Sequence, residues 1–198
     1  MRLRGGRAGW GMVTAVGLLS FAGSARRGSL NRKLLVAAVE AARAAGADVM
    51  LIDLNDHVLP LYHGDLEDAQ GLPPAAAALV ALIQSHHGLL VASPEYNGNV
   101  TPLLKNTIDW CTRADANPFA GKVAAVVSAS PGPFGGAKSL QQAQQLLFKL
   151  GCHVVPGGTT LVQADKAFDV EGRLTDPRAL KSLKALAASL VELTRKIS

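Results

Sequence analysis

The chain has 198 residues, of which 48% are hydrophobic and 18% are charged, and its formal net charge is +5. This size and balance predict a single globular domain with a full hydrophobic core. Two cysteines are too few for a disulfide framework. No apolar run reaches the ~18 residues of a membrane helix, so we predict no membrane partner. No basic run interleaves with aromatic residues, so we predict no nucleic-acid partner.

The N-terminal residues Met1–Gly11 show no hydrophobic periodicity and are rich in glycine and arginine. We predict a flexible extension there, with Met12 as an alternative start, followed by one domain over residues 12–198. The arginines and the apolar run after them imitate a signal peptide. The same apolar residues make a first core strand over Val13–Phe21, and on that interpretation we expect a cytoplasmic protein.

The segment Gly23–Asn31 (GSARRGSLN), which we call the first loop, joins this strand to a helix predicted over Leu30–Ala45. A strand that turns into a helix start presents unpaired backbone N–H groups and the positive end of the helix dipole. The loop adds the polar side chains of Ser24, Ser29, Asn31 and one of two arginines, Arg26 or Arg27. We predict that it binds a phosphomonoester, because it matches neither the dinucleotide nor the Walker fingerprint. The alternative is that Ser29 only caps the helix and both arginines are solvated.

The later elements alternate between strand and helix. Strands are predicted at Ala47–Leu54, Gly88–Ser93 and Gly121–Ser128, with a split fifth strand at Cys152–Val155 and Thr159–Val162. Helices are predicted at Ala75–His86, Leu103–Arg113, Ala137–Leu150 and Asp176–Lys196, and a long loop at Asn55–Gly71. Continuously apolar strands that alternate with helices indicate a parallel sheet covered on both faces. Five strands favour a flavodoxin-like three-layer sandwich with strand order 2-1-3-4-5 over the six-stranded dinucleotide-binding form.

In such a sheet the loops after strands one, three and four leave the same edge. They are the first loop, a second loop Ser93–Pro102 (SPEYNGNVTP) and a third loop Ser128–Gly136 (SASPGPFGG). All three are rich in Gly, Pro, Ser and Asn, so we expect one shared site. A phosphate at one end and glycine-rich backbone with Tyr96 at the other fit a mononucleotide. FMN fits better than ATP, because no set of magnesium ligands lies nearby.

These loops, together with Leu104–Trp110 (LKNTIDW), resemble the NADPH-dependent FMN reductase family, which includes chromate, quinone and azo-dye reductases. The resemblance runs from about Val13 to Lys196. It implies a flavodoxin-like fold, FMN as cofactor, NADPH or NADH as electron donor, and a homodimer or homotetramer.

The resemblance also implies which residues bind the cofactor. The phosphate would be held by Ser24, Arg26, Ser29, Leu30 and Asn31. The ring would lie against Pro94, Glu95, Tyr96, Asn97 and Gly98. The third loop would close the ring pocket with Ser128, Ser130, Gly132, Gly135 and Gly136. Because the flavin carries the chemistry, we predict no catalytic side chain, and the five histidines lack metal-ligand spacing, so we predict no metal site.

We therefore predict an NAD(P)H-dependent oxidoreductase that passes hydride from nicotinamide to FMN and on to a quinone, chromate, an azo compound or free flavin. The alternative is a flavodoxin-type electron carrier without its own NAD(P)H activity. We expect backbone N–H groups from Ser130 to Gly136 to stabilise the negative charge of the reduced flavin. For Glu95, capping of the helix that follows the second loop remains an alternative to a place beside the ring.

Overall fold

The computed structural model describes residues 15–198, so the predicted extension and the alternative start at Met12 lie outside the described residues. The strands are β1 (Val16–Ala22), β2 (Ala47–Leu51), β3 (Gly88–Ala92), β4 (Val123–Ala129), β5 (His153–Val154) and β6 (Thr159–Leu161). The helices are α1 (Leu30–Ala44), α2 (Gly64–Gln70), α3 (Pro74–Ser85), α4 (Pro102–Cys111), α5 (Ala137–Lys149) and α6 (Pro177–Ile197).

All strands pair in parallel, in the order β2-β1-β3-β4-β5. The short strands β5 and β6 share the fifth position, because β5 pairs with the beginning of β4 and β6 pairs with its end. Between them, Gly157 and Gly158 have φ values of 86° and 120°, which interrupt the extended backbone. The flavodoxin-like strand order and the split fifth strand are thereby confirmed.

The sheet has a hydrophobic core on each face, because successive residues of a strand point to opposite sides. Leu18 and Leu90 belong to the core under α1 and α6. Their neighbours Leu19 and Leu89 belong to the core under α3, α4 and α5. Every residue of β3 and β4 is buried, which explains why these strands read as unbroken apolar runs.

The predicted loop Asn55–Gly71 is wrong in one respect, because it contains helix α2. None of the residues of α2 is buried, so the helix has no apolar face that a periodic pattern could reveal. The chain before α2 is held against α4 by the carbonyl of Pro60. That oxygen accepts hydrogen bonds from Trp110 Nε1 and Asn106 Nδ2, each at 2.8 Å.

Most strand boundaries differ from the prediction by one to three residues, and the two largest differences are at β1 and β2. Strand β1 begins at Val16 in the described part of the chain, and β2 ends at Leu51 and not at Leu54. The β2 boundary has a local cause: Asp53 Oδ1 accepts the Asn55 N–H at 3.0 Å and starts a 3₁₀ turn.

From residue 15 to residue 198, the structure has no helix with both the length and the apolar character that crossing a membrane requires.

Gly88, the first residue of the central strand β3, is closely packed between the neighbouring strands β1 and β4. A Cβ atom added there would lie 2.8 Å from Leu18 Cδ2 and 2.9 Å from the carbonyl oxygen of Val123. Gly88→Ala should therefore lower the free energy of unfolding by about 1–3 kcal/mol, as overpacking does. Urea denaturation measures this change.

A matched control is Gly64→Ala, because an added Cβ there meets no atom within 4 Å. It should leave stability unchanged or raise it by about 0.4–1 kcal/mol, since alanine restricts the unfolded chain. Equal effects of the two substitutions would contradict the packing described for Gly88.

Candidate functional site

The three predicted loops meet at the carboxyl edge of the sheet and enclose a cleft. Its volume is about 110 Å³. The residues that line it are Ser24, Arg26, Ser29, Leu30, Asn31, Pro94, Glu95, Tyr96, Ala129, Ser130 and Pro131. All five predicted residues of the first loop line the cleft, but only three of the five predicted residues of the second loop do so. Of the predicted residues, Asn97, Gly98, Ser128, Gly132, Gly135 and Gly136 do not line the cleft.

The first loop brings backbone donors to this cleft. Ser29 caps α1, because its Oγ accepts the N–H of Arg32 at 3.3 Å. The N–H groups of Leu30 and Asn31 belong to the first turn of α1 and have no acceptor in the described chain. They and the helix dipole favour an anion at this point.

The two arginines of the first loop differ in position. Both are exposed, and neither forms an ion pair within residues 15–198. Arg26 lines the cleft, whereas Arg27 does not. Arg26 is therefore the guanidinium placed to meet an anion bound at the start of α1.

Asn31 has a structural role that the sequence did not reveal. Its Nδ2 donates to the carbonyl oxygen of Ala129 at 2.8 Å, and its Oδ1 accepts the Ala129 N–H at 2.9 Å. The side chain is buried. Both ends of the amide thus join α1 to the end of β4, and the part of Asn31 that remains free for a ligand is its backbone N–H.

The second loop is a tight turn beside the cleft. Tyr96 and Asn99 exchange two backbone hydrogen bonds, of 3.0 and 3.1 Å. Between them, Asn97 and Gly98 have φ values of 54° and 77°, the left-handed conformation that Asn and Gly tolerate best. These two residues form the tip of the turn, and Tyr96 stands at its base with half of its surface exposed.

Glu95 caps a helix, but not the one that follows its own loop. Its Oε2 accepts the N–H groups of Lys138 and Ser139, at 3.1 and 3.2 Å, at the start of α5. Helix α4 is capped instead by Thr101, whose Oγ1 accepts the N–H of Leu104 at 3.2 Å. The predicted capping alternative for Glu95 therefore named the wrong helix.

Three N–H groups of the third loop already have acceptors in the protein, one of them in β6 and two within the loop. The Ser130 N–H donates to the carbonyl of Leu161, the Gly132 N–H to Ser130 Oγ, and the Gly135 N–H to the carbonyl of Gly132. Pro131 and Pro133 have no N–H. The expected role of the Ser130–Gly136 backbone toward a reduced flavin therefore stays a prediction for those N–H groups that have no acceptor in the protein.

Two N–H groups of the third loop, those of Phe134 and Gly136, remain without an acceptor among the described residues. The hydroxyl of Ser128 is fully buried behind the loop and donates to the carbonyl of Ser93 at 2.7 Å. Ser128 thus supports the loop from within the protein, whereas Ser130 reaches the cleft.

A larger cavity of about 300 Å³ lies on the other side of the first loop, between α1 and the end of β2. It contains the ion pair of Arg32 and Asp53, whose closest atoms are 2.6 Å apart, and the carboxylate of Asp56. The second carboxylate leaves this cavity with an excess of negative charge, which disfavours a phosphate. We therefore place the anion site in the smaller cleft, where the unpaired N–H groups and Arg26 converge.

Neither cysteine takes part in the site. Cys111 and Cys152 are buried and unpaired with each other. Burial raises the pKa of each thiol to about 12. At neutral pH both remain protonated, so neither supplies the thiolate that redox chemistry at sulfur requires.

Comparison with known proteins identifies the family. Residues 16–167 match the model of the family described as NADPH-dependent FMN reductase. An NAD(P)H-dependent FMN reductase of Pseudomonas aeruginosa is 34% identical over 187 residues, covering 94% of this chain and 99% of that protein. An NAD(P)H:quinone oxidoreductase of Solanum tuberosum is 37% identical over 180 residues, covering 88% of this chain and 91% of its own.

Among solved structures, the flavoenzyme NAD(P)H:(acceptor) oxidoreductase FerB from Paracoccus denitrificans superimposes with a TM-score of 0.77 at 27% identity. The match covers 92% of this chain and 99% of that one. The chain belongs to the NADPH-dependent FMN reductase family. The predicted family, the flavodoxin-like fold, and FMN with NAD(P)H as cofactor and donor are thereby confirmed.

The residues of the cleft fit FMN. A terminal phosphate matches the unpaired N–H groups of Leu30 and Asn31 beside Arg26, and an aromatic ring matches the exposed side of Tyr96. The cleft volume of about 110 Å³ is small beside the ~300–1,000 Å³ of typical ligand pockets. A mononucleotide bound here would therefore extend beyond the cleft toward solvent.

The contacts of Asn31 generate a stability prediction. Asn31→Ala leaves the buried N–H and carbonyl of Ala129 without their partners, so the free energy of unfolding of the FMN-free protein should fall by at least ~2 kcal/mol. Urea denaturation of the FMN-free protein measures this change in the free energy of unfolding. Because no FMN is present, a change in cofactor binding cannot contribute to the result.

Asn55→Ala is the matched control, because the Asn55 amide makes only an exposed bond to Asp53. Its effect should stay within about 0.5 kcal/mol. If Asn31→Ala left the FMN-free protein as stable as Asn55→Ala does and weakened only FMN binding, the amide would serve the phosphate and not the loops.

Proposed function

We propose that this chain is an oxidoreductase that holds FMN in the cleft, takes hydride from NADPH or NADH, and passes electrons to a quinone. The observation that carries the proposal is the convergence of unpaired N–H groups, Arg26 and Tyr96 in one cleft at the carboxyl edge of the sheet. A phosphate site and a ring site in the same cleft suit a mononucleotide, and membership of the family indicates that this mononucleotide is FMN.

FMN, when bound, supplies the hydride-accepting chemistry, and the protein supplies position and electrostatics. Leu30 and Asn31 would donate their N–H groups to the phosphate, and Arg26 would balance its charge. Pro94, Tyr96 and Ser130 would line the ring. The unused N–H groups of Phe134 and Gly136 lie outside the lining of the cleft, so they would donate to the negative charge of a reduced ring only where the ring extends beyond that lining.

Quinone is the proposed acceptor class because several relatives are named for it, among them the Solanum tuberosum protein and the quinone reductase of Escherichia coli. Chromate, azo compounds and free flavin remain further acceptors to test. Tyr96 is 49% exposed, so a flat acceptor can approach the cleft from solvent.

We further propose a homodimer or homotetramer, as the family resemblance implies. Support comes from Val58, Leu61 and Phe134, whose side chains are each at least 74% exposed and would be covered by a second copy. We also propose a cytoplasmic location, because the two cysteines form no disulfide and free thiols are typical of a reducing compartment.

The position of the phosphate leads to an unequal prediction for the two arginines. Arg26→Ala should raise the dissociation constant of FMN roughly 5- to 150-fold, the equivalent of losing a charge-assisted contact of about 1–3 kcal/mol. Arg27→Ala should change it less than twofold, because Arg27 lies outside the cleft. Titration of the FMN-free protein, followed by the quenching of FMN fluorescence, measures both values. Equal losses would mean that the phosphate lies elsewhere.

Reduction of the bound flavin by NADPH or NADH distinguishes an enzyme from the alternative, an electron carrier without its own NAD(P)H activity. NADPH or NADH added without oxygen to the FMN-loaded protein should bleach the flavin absorption band within seconds. A subsequent addition of a soluble quinone should restore the band. A band that both nucleotides leave intact, while dithionite bleaches it, would favour the carrier. Initial rates with each nucleotide against quinone, chromate, an azo dye and free FMN then rank donors and acceptors.

A further inference from the structure

Helix α5 has no cap of its own. Its N-cap position is Gly136, which has a φ of 80° and no side chain to accept a hydrogen bond. A Cβ atom there would overlap the hydroxyl of Ser128, which is fully buried. The capping residues Ser, Thr, Asp and Asn are thus excluded at this position by space and by backbone conformation.

The cap comes from the second loop instead. One oxygen of Glu95 accepts the N–H groups of both Lys138 and Ser139, the second and third residues of α5. The negative carboxylate also faces the positive end of the helix dipole. Glu95 is separated from these partners by more than forty residues in sequence, so this cap ties two distant loops together.

Buried hydroxyls reinforce the same junction. Ser139 Oγ donates to the carbonyl of Pro94 at 2.7 Å and lies 2.7 Å from Ser93 Oγ. Ser128 Oγ donates to the carbonyl of Ser93, also at 2.7 Å. The residues on either side of Glu95 therefore have defined positions: Pro94 is held from behind, and Tyr96 begins the turn that borders the cleft.

From these contacts we propose that Glu95 is a positioning residue for the flavin ring. Its carboxylate holds the start of α5, and with it the third loop, against the second loop, and so sets the distance between the two walls of the ring site. The functional property of the side chain is the oxygen Oε2, which accepts two N–H groups at the start of α5, although Glu95 also lines the cleft. This inference rests on the proposed FMN site.

Three variants separate position from charge. Glu95→Gln keeps an oxygen of the same reach and removes the charge. Glu95→Ala removes both. Asp176→Ala is the matched control, because Asp176 Oδ1 caps α6 through the Ala179 N–H at 2.7 Å without bordering the cleft. Two measurements are made on each FMN-free protein: amide hydrogen exchange at Lys138 and Ser139, and the dissociation constant for added FMN.

Glu95→Ala should speed exchange at Lys138 and Ser139 at least tenfold and raise the FMN dissociation constant at least tenfold. Glu95→Gln should restore both values to within about threefold of the unmodified protein. Asp176→Ala should lower the melting temperature about as much as Glu95→Ala and leave both values unchanged. Should Glu95→Ala fail to fold, Glu95→Asp, whose side chain is one methylene shorter, takes its place with the same expected direction.

The inference is overturned if Glu95→Gln weakens FMN binding as much as Glu95→Ala, because charge and not position would then be the cause. It is also overturned if Glu95→Ala leaves amide exchange at the start of α5 unchanged. Failure of the proposed function is distinguishable, since the exchange measurement needs no flavin and an unmodified protein that does not bind FMN would identify that failure directly.

Discussion

The site depends on the side-chain amide of Asn31 and its two hydrogen bonds to the backbone of Ala129. Asn31 and Ala129 are 98 residues apart in sequence. Asn31 belongs to helix α1, whereas Ala129 is the last residue of strand β4. Parallel strands bring loops to one edge, but the sheet alone leaves their separation free. The Asn31 amide sets that separation for the first and third loops, with both of its polar ends satisfied in a buried place.

Similar bonds complete the arrangement. Thr101 Oγ1 donates to the carbonyl of Gly23 at 2.6 Å and joins the second loop to the first loop. Space for this approach exists because Gly23 has no side chain: a Cβ there would lie 2.7 Å from Leu104 Cβ. The second and third loops meet through Glu95 at the start of α5. Each pair of loops thus has its own connection, and each connection joins a side chain to backbone.

This use of side chains explains what could be predicted from the sequence. The strand order, the two-sided core and the meeting of the three loops follow from apolar periodicity and the geometry of parallel sheets, and all were predictable. The roles of Asn31 and Glu95 were not, because their partners are backbone groups, which carry no signature in a sequence. Helix α2 was missed for a different reason, since it has no buried face.

Residues that point into the protein and residues that face solvent have different consequences for the choice of acceptor. Asn31, Glu95, Thr101 and Ser128 direct their polar groups into the protein, so a motif built from them specifies the shape of an FMN cleft. Tyr96 and Pro131 line the cleft and are exposed to solvent, and neither side chain takes part in those connections. They can vary without disturbing the loops. Selectivity among acceptors should therefore depend on these two residues, and a shared motif need not imply a shared acceptor.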